Sequence, residues 1–168
     1  MRVLSVASEC APLVKTGGLA DVVGALPGAL ADEGVETRVM LPAFPGLAER
    51  LGPGAKAVAL SEGERLLIGK AAGLSLILHD APALFDRAGR SPYLGPDGRD
   101  WPDNAIRFGR FAAAAARVAR EGAGGWRPDA VHAHDWQAGL VPAFLGAEGP
   151  PVVFTVHNMA HQGVFPRE

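Results

Sequence analysis

The sequence has one cysteine, no long apolar run and little net charge, and each of these features excludes a class of protein. A single cysteine, Cys10, excludes an internal disulfide and is typical of a reducing cytosol, so a cytoplasmic location is expected. No apolar run is long enough to span a membrane, and the short run after Arg2 ends at the charged Glu9, which argues against a signal peptide. The net charge is only −2, so no strong field draws nucleic acid or an anionic membrane.

Lysine and tyrosine are also scarce. The only lysines are Lys15, Lys56 and Lys70, and Tyr93 is the only tyrosine.

Disorder is excluded, because 48% of the 168 residues are hydrophobic, enough for one domain with a sizeable core. We therefore treat residues 1–168 as one domain without a linker or an internal repeat.

Hydrophobic patterns predict alternating strands and helices along this domain. A β-branched run over 3–7 predicts a buried strand, and the spacing of apolar residues predicts a helix over 19–32 that Pro27 should kink or end early. A second strand over 35–41 completes a βαβ unit. Three short strands are predicted next, over 56–60, 65–68 and 74–79, and a turn over 69–73 joins the last two. A long loop over 87–103 follows. The remaining predicted elements are a helix over 103–121, a strand over 130–133, a helix over 138–145 and a buried strand over 152–156. The fold class predicted is α/β: a Rossmann-like, mostly parallel sheet with helices on both faces and a β-hairpin insertion.

The stretch from Lys15 to Asp21 lies between the first strand and the first helix. Gly17 and Gly18 let a ligand approach the backbone, the helix N-terminus offers free N–H groups, and Lys15 adds a mobile cation. The spacing fits neither common phosphate-binding fingerprint. On the residues alone, an anion site and a simple tight turn both stay open. Lys15 could equally be a solvated loop lysine, and Asp21 an acid that stabilises the first helical turn.

Two further polar clusters follow later strands. Asp135 and Trp136 come after the strand over 130–133, and His157 and Asn158 follow the last strand. Ligands bind at the carboxyl edge of open α/β sheets, so these clusters and the glycine turn are expected to meet at one site.

A metal site is the main alternative for the histidines. His132 and His134 alternate on one strand, so they share a face and could bind zinc beside Asp135. No further acidic or cysteine cluster accompanies them, so no metal is expected. The segment from His157 to His161 superficially resembles H-E-x-x-H, but Asn158 replaces the glutamate and no long helix is predicted there.

Several stretches resemble the bacterial glycogen synthases and plant starch synthases, and they occur in the same order along the chain. The matching stretches are Ser8–Pro12, Lys15–Val22, Gly24–Pro27, Leu41–Phe44, His132–Trp136 and His157–Asn158. The resemblance implies a retaining glycosyltransferase with two facing Rossmann-like domains, the GT-B arrangement. It implies that glucose moves from ADP-glucose to the non-reducing end of an α-1,4-glucan such as glycogen, without a cofactor. The chain then corresponds to an incomplete N-terminal domain.

The same resemblance implies roles for individual residues. Lys15, Gly17 and Gly18 would contact the diphosphate, and Asp21 the sugar or the acceptor. His157, Lys15 and Asp135 would be the catalytic residues, and the remaining substrate contacts would come from Tyr93, Trp136 and Asn158. His161 departs from the family, which usually has tyrosine there. Tyr93 could also be an ordinary exposed loop aromatic. A non-catalytic glucan- or nucleotide-binding module and a metal-dependent hydrolase are the alternative functions.

Overall fold

Seven strands form one sheet that carries helices on both faces. The computed structural model describes residues 1–89 and 91–165. The strands are β1 (Arg2–Val6), β2 (Glu36–Pro42), β3 (Lys56–Ser61), β4 (Glu64–Ala71), β5 (Leu74–Asp80), β6 (Ala130–His134) and β7 (Val152–Thr155). The helices are α1 (Gly18–Ala31), α2 (Pro82–Phe85), α3 (Asn104–Glu121), α4 (Asp135–Ala138) and α5 (Val141–Leu145), with one 3₁₀ turn at Ala48–Arg50. No helix in the described ranges combines the length and apolarity needed to cross a bilayer.

The strand order is β3-β4-β5-β2-β1-β6-β7. The five strands β5, β2, β1, β6 and β7 are parallel to one another, whereas β4 is antiparallel to both β3 and β5. The predicted α/β sheet with an antiparallel insertion is therefore confirmed. Its β4–β5 turn is shorter than predicted, because β4 continues to Ala71 and only Ala72 and Gly73, with φ of 51° and 80°, reverse the chain.

Each face of the sheet has its own apolar core. On one face, α3 buries an apolar stripe of Phe108, Phe111, Ala115 and Val118 against the strands. The opposite core contains residues of α1, including Leu19 and Val23. The helix over 19–32 is nearly as predicted, but it does not end early at Pro27.

Two sequence predictions about the other elements were wrong, and one short helix was missed. The strand over 152–156 is not buried, because β7 is the edge strand of the described sheet and Phe154 remains 47% exposed. The helix over 138–145 is two short helices, since Asp135 already begins α4 and Pro142 stands at the start of α5. The short helix α2, which begins at Pro82, was not predicted at all.

The chain order creates a crevice at the carboxyl edge of the sheet. From β1 the chain passes through α1 to β2 on one side, and from β5 it passes through α3 to β6 on the other side. The connections on the two sides of β1 therefore cover opposite faces of the sheet. Such a reversal is the place where open α/β sheets bind ligands.

Candidate functional site

A cleft of about 1090 Å³ lies at the carboxyl ends of β1 and β6. It brings together seven of the nine residues predicted for the site from the sequence. Those in its wall are Gly17, Gly18, Tyr93, Asp135, Trp136, His157 and Asn158. Lys15 and Asp21 are not in the wall, although they belong to the same glycine turn.

Glu9 organises the glycine turn, a role that the sequence interpretation missed. This residue is only 3% exposed, and its Oε2 accepts hydrogen bonds from the backbone N–H groups of Thr16 and Gly17, the latter at 3.2 Å. The other carboxylate oxygen accepts the Thr16 hydroxyl at 2.6 Å. A charged residue within the apolar stretch between the first strand and the glycine turn was the available signal, because a buried carboxylate requires donors nearby.

Gly17 and Gly18 are not required by the fold itself. Gly17 has extended backbone, with φ of −151°, and an added Cβ would meet no atom within 4 Å at either position. The turn therefore needs glycine neither for a left-handed conformation nor for internal packing. The empty space faces the cleft, so a side chain here would occupy ligand volume rather than protein volume.

Lys15 and Asp21 bind each other in this structure. The Lys15 ammonium donates to both carboxylate oxygens of Asp21, at 2.6 and 2.8 Å, and both side chains are more than half exposed. Exposed ion pairs of this kind contribute little stability and rearrange easily.

Tyr93 is anchored at both its hydroxyl and its backbone. Its hydroxyl donates to Glu9 Oε1 at 2.6 Å and lies 2.7 Å from the Ser8 hydroxyl. Burial, reinforced by the Glu9 carboxylate, raises the pKa of Tyr93 far above its usual range. Its carbonyl accepts the Asn104 amide at 3.1 Å, so this half-buried residue is no ordinary exposed loop aromatic.

Arg107 holds the loop that carries Tyr93. This almost fully buried guanidinium donates to the carbonyls of Leu84 and Pro92 at 2.7 and 3.1 Å, and to Asn104 Oδ1 at 2.7 Å. Burial lowers the pKa of Arg107 to about 10, so it stays charged at neutral pH. The loop is therefore fixed to α3, which positions the Tyr93 ring beside the cleft.

Asp135 adopts an uncommon backbone conformation where β6 ends. Its φ is +54°, a left-handed value that residues other than glycine rarely take. Its buried carboxylate accepts the backbone N–H of His157 at 2.6 Å, which ties the segment after β7 to β6. Strained residues of this kind cluster at functional sites.

A line of hydrogen bonds connects the sheet interior to His157. The Ser5 hydroxyl lies 3.1 Å from His134 Nε2, and His134 Nδ1 lies 2.9 Å from His157 Nε2. Burial, together with the nearby His132 and His157, lowers the pKa of His134 to about 3. His134 is therefore neutral at physiological pH.

These contacts remove the geometric basis for a metal centre on His132, His134 and Asp135. The two histidine rings do share a face, with centroids 3.9 Å apart, as the sequence predicted. However, both ring nitrogens of His134 are already engaged by Ser5 and His157, and His132 Nε2 contacts Thr155 Oγ1 at 2.8 Å. Among the described residues, no group of three or more potential ligands is placed to hold a metal ion.

Trp136 lines this cleft and also a second, more apolar cavity of about 610 Å³. Its ring packs edge-on against Phe108 and Phe165, with centroids 5.0 and 5.4 Å apart. Gly163 lies directly over it, because an added Cβ there would approach the indole ring to 2.7 Å. Trp136 is thus a fixed apolar wall.

Asn158, His161 and Gln137 are further polar residues of the cleft wall. Asn158 Oδ1 accepts the Ala160 N–H at 2.9 Å, and the exposed His161 donates its backbone N–H to the Asn158 carbonyl at 3.1 Å. Gln137, only 5% exposed, was missed from the sequence. The residue lines the cleft, and its buried Oε1 has no partner within the described part of the chain.

Comparison with known proteins identifies sequences that are related to this chain. A family model described as the starch synthase catalytic domain matches residues 2–168. A glycogen synthase of Roseobacter denitrificans is 58% identical over 173 residues, which cover 98% of this chain and 36% of the relative. One from Granulibacter bethesdensis is 53% identical over 181 residues, covering 100% and 36%. The chain thus spans little more than a third of the length of these curated relatives.

A solved structure extends the similarity to the fold. The catalytic domain of starch synthase IV from Arabidopsis thaliana, bound to ADP and acarbose, matches with a TM-score of 0.76 and 27% sequence identity. The match covers 96% of this chain and 35% of that one. The two chains therefore share the arrangement of strands and helices over nearly all of the present sequence.

Proposed function

Since the chain belongs to the starch synthase catalytic-domain family, we propose that it is the N-terminal part of a glycogen or starch synthase. The whole enzyme transfers glucose from ADP-glucose to the non-reducing end of an α-1,4-glucan, with retention at the anomeric carbon. Residues 1–168 form an incomplete first domain, and a second Rossmann-like domain closes the cleft. The observation that carries the proposal is the convergence of the glycine turn, Asp135 and His157 in one cleft.

The glycine turn is the proposed site for the donor diphosphate. Gly17 and Gly18 leave open space in front of the backbone at the N-terminus of α1, where the helix dipole favours an anion. The carboxylate of Glu9 already accepts the Gly17 N–H, so the free donors belong to the first turn of the helix itself. Lys15 reaches the diphosphate by leaving Asp21, and Asp21 is then available to the sugar or the acceptor.

The opposite wall is the proposed site for the sugar. His157 donates to a glucose hydroxyl, and its ring, when unprotonated, tolerates the positive charge that develops at the anomeric carbon. Asp135 supplies a carboxylate on the same side, Asn158 adds hydrogen bonds, and Trp136 gives an apolar surface. The Tyr93 hydroxyl is engaged by Glu9 and Ser8, so Tyr93 contributes its ring rather than its hydroxyl.

Catalysis in this proposal is mainly electrostatic. The bond between the glucosyl carbon and the diphosphate breaks, a glucan hydroxyl forms the new bond, and its proton leaves with the diphosphate. Lys15 and the helix N-terminus stabilise the charge that accumulates on the leaving group. No step requires a metal ion.

A chimera tests the proposal. This chain replaces the matching N-terminal part of the Roseobacter denitrificans glycogen synthase, and incorporation of labelled glucose from ADP-glucose into glycogen is measured. His157→Ala should lower kcat by a factor on the order of a hundred with little change in Tm, because its ring contacts the reacting sugar. Lys56→Ala, an exposed position on β3 at the far edge of the sheet, is the control. A folded but inactive chimera contradicts the proposed function, and a lowered Tm with normal kcat removes His157 from the site.

A binding role without catalysis is the second candidate for the chain by itself. The observation that favours it is that the glycine turn, Asp135 and His157 already meet in one cleft within this chain. Calorimetric titration of the 168-residue chain with ADP and with a short maltooligosaccharide measures this capacity directly. Absence of heat with both ligands removes the candidate.

A further inference from the structure

A hydrogen-bonded network of Ser5, His134 and His157 crosses from β1 through β6 to the cleft. Ser5 and His134 are 2% and 0% exposed, whereas His157 is half-buried and lines the cleft. We propose that Ser5 and His134 are positioning residues that fix His157 as the tautomer with its hydrogen on Nδ1. His157 then meets a ligand only as a hydrogen-bond donor at that atom.

The direction of the network follows from the Ser5 hydroxyl. Within the described residues this hydroxyl has one hydrogen-bond partner, His134 Nε2 at 3.1 Å. The hydroxyl hydrogen therefore has one acceptor available, and Ser5 donates to His134 Nε2. That nitrogen is then unprotonated, and the single hydrogen of the neutral ring lies on Nδ1.

The next link is determined in the same way. His134 Nδ1–H lies 2.9 Å from His157 Nε2, so His134 donates and His157 Nε2 accepts. The hydrogen of a neutral His157 must then be on Nδ1, which has no hydrogen-bond partner among the residues described. The free end of the network is thus an N–H group beside the cleft.

The reversed network is less favourable for one identifiable reason. If His157 Nε2–H donated to His134 Nδ1, then His134 Nε2–H would donate to Ser5. The Ser5 hydroxyl hydrogen would be buried without an acceptor, and buried polar hydrogens are rarely left unpaired. A doubly protonated His134 is also unfavourable, because the ring is buried between His132 and His157.

The network assigns a chemical preference to the cleft. An Nδ1–H donor selects ligand oxygen atoms that accept a hydrogen bond, such as a sugar hydroxyl or ring oxygen, over groups that can only donate. The extension to a glucosyl hydroxyl rests on the proposed function, whereas the tautomer itself does not.

Long-range proton–nitrogen NMR spectra of the 168-residue chain test the tautomer directly. The chain has only five histidines, so the ring signals can be assigned by single substitutions. At neutral pH, His157 should show a protonated Nδ1 and an unprotonated Nε2. A protonated Nε2 on neutral His157 overturns the proposal.

Two pairs of variants test the positioning residues. His134→Asn keeps an amide donor at the position of Nδ1 and should preserve the His157 tautomer. His134→Leu has a similar branched shape without the donor, so His157 should revert to the Nε2–H form that unconstrained histidine prefers. Ser5→Thr should likewise preserve the tautomer, and Ser5→Ala should give a mixture. Identical His157 spectra in His134→Asn and His134→Leu would overturn the role of His134.

The readout separates this inference from the proposed function. The spectra need neither substrate nor a second domain, so an inactive chimera would leave the tautomer assignment intact. Conversely, an active chimera whose His157 carries its hydrogen on Nε2 would support the synthase proposal and eliminate the network's role.

Discussion

Acid should destabilise this fold through His134, and the size of the effect can be worked from the structure. The folded pKa of His134 is about 3, below its ordinary value of 6.5, because the ring is buried beside His132 and His157. The unfolded chain therefore binds a proton at a pH where the folded chain does not. The stabilising contribution is complete above pH 6.5 and is lost progressively as the pH falls towards 3.

The size of this destabilisation at mildly acidic pH follows from the protonation of His134 in the unfolded state. Each pH unit below 6.5 lowers the free energy of unfolding by about 1.4 kcal/mol, so at about pH 5 the loss is about 2 kcal/mol. The pKa values of His132 and His79 are also lowered by burial, and these histidines contribute in the same direction. A comparison between variants is therefore needed to isolate His134.

Urea unfolding monitored by tryptophan fluorescence at about pH 7.5 and about pH 5 provides the measurement. His134→Asn should be less stable at the higher pH, but it should lose about 2 kcal/mol less than the wild type on acidification. His161→Asn makes the same substitution at an exposed position and should keep the wild-type pH dependence. Equal acid losses in the wild type and His134→Asn would refute the reasoning, because His134 would then titrate alike in the folded and unfolded chains.

Three further predictions concern the cleft. The chain alone should transfer no measurable glucose, because its curated relatives are much longer; labelled glucose in glycogen would contradict this. In the chimera, Lys15→Ala should raise the KM for ADP-glucose and cost about 1.5–3 kcal/mol in kcat/KM, whereas Lys56→Ala should not; unchanged donor kinetics would end the phosphate role of Lys15. Glu9→Gln should lower Tm, because the buried carboxylate accepts the hydroxyls of Tyr93 and Thr16 and two backbone N–H groups of the turn; an unchanged Tm would show that Glu9 does not hold the turn.

Local pattern determined most of the secondary structure. Periodic apolar residues were sufficient for α3, and β-branched runs for β1 and β2, since these elements bury one face or both. The burial of β7 could not be predicted in this way. The run from Val152 to Val156 is as apolar as a central strand, and only the sheet order shows that it lies at the edge.

The sequence also predicted seven of the residues that line the cleft, although it missed Glu9 and Gln137. Ordered motifs identified the family, and the rule that ligands lie at the carboxyl edge of parallel strands brought Asp135 and His157 together. Neither argument depends on side-chain contacts, because strand direction alone places these residues.

Only the tertiary structure decided how those residues are held. Ser5 and His134 are 129 positions apart, and Glu9 and Tyr93 are 84 apart, so no local pattern could connect either pair. Their hydrogen bonds exist because β6 pairs beside β1 and because Arg107 anchors the Tyr93 loop to α3. The sequence therefore specified the chemistry available at the cleft. The direction of each hydrogen bond, and with it which atom of His157 faces a ligand, depends on contacts that form only when distant strands pack together.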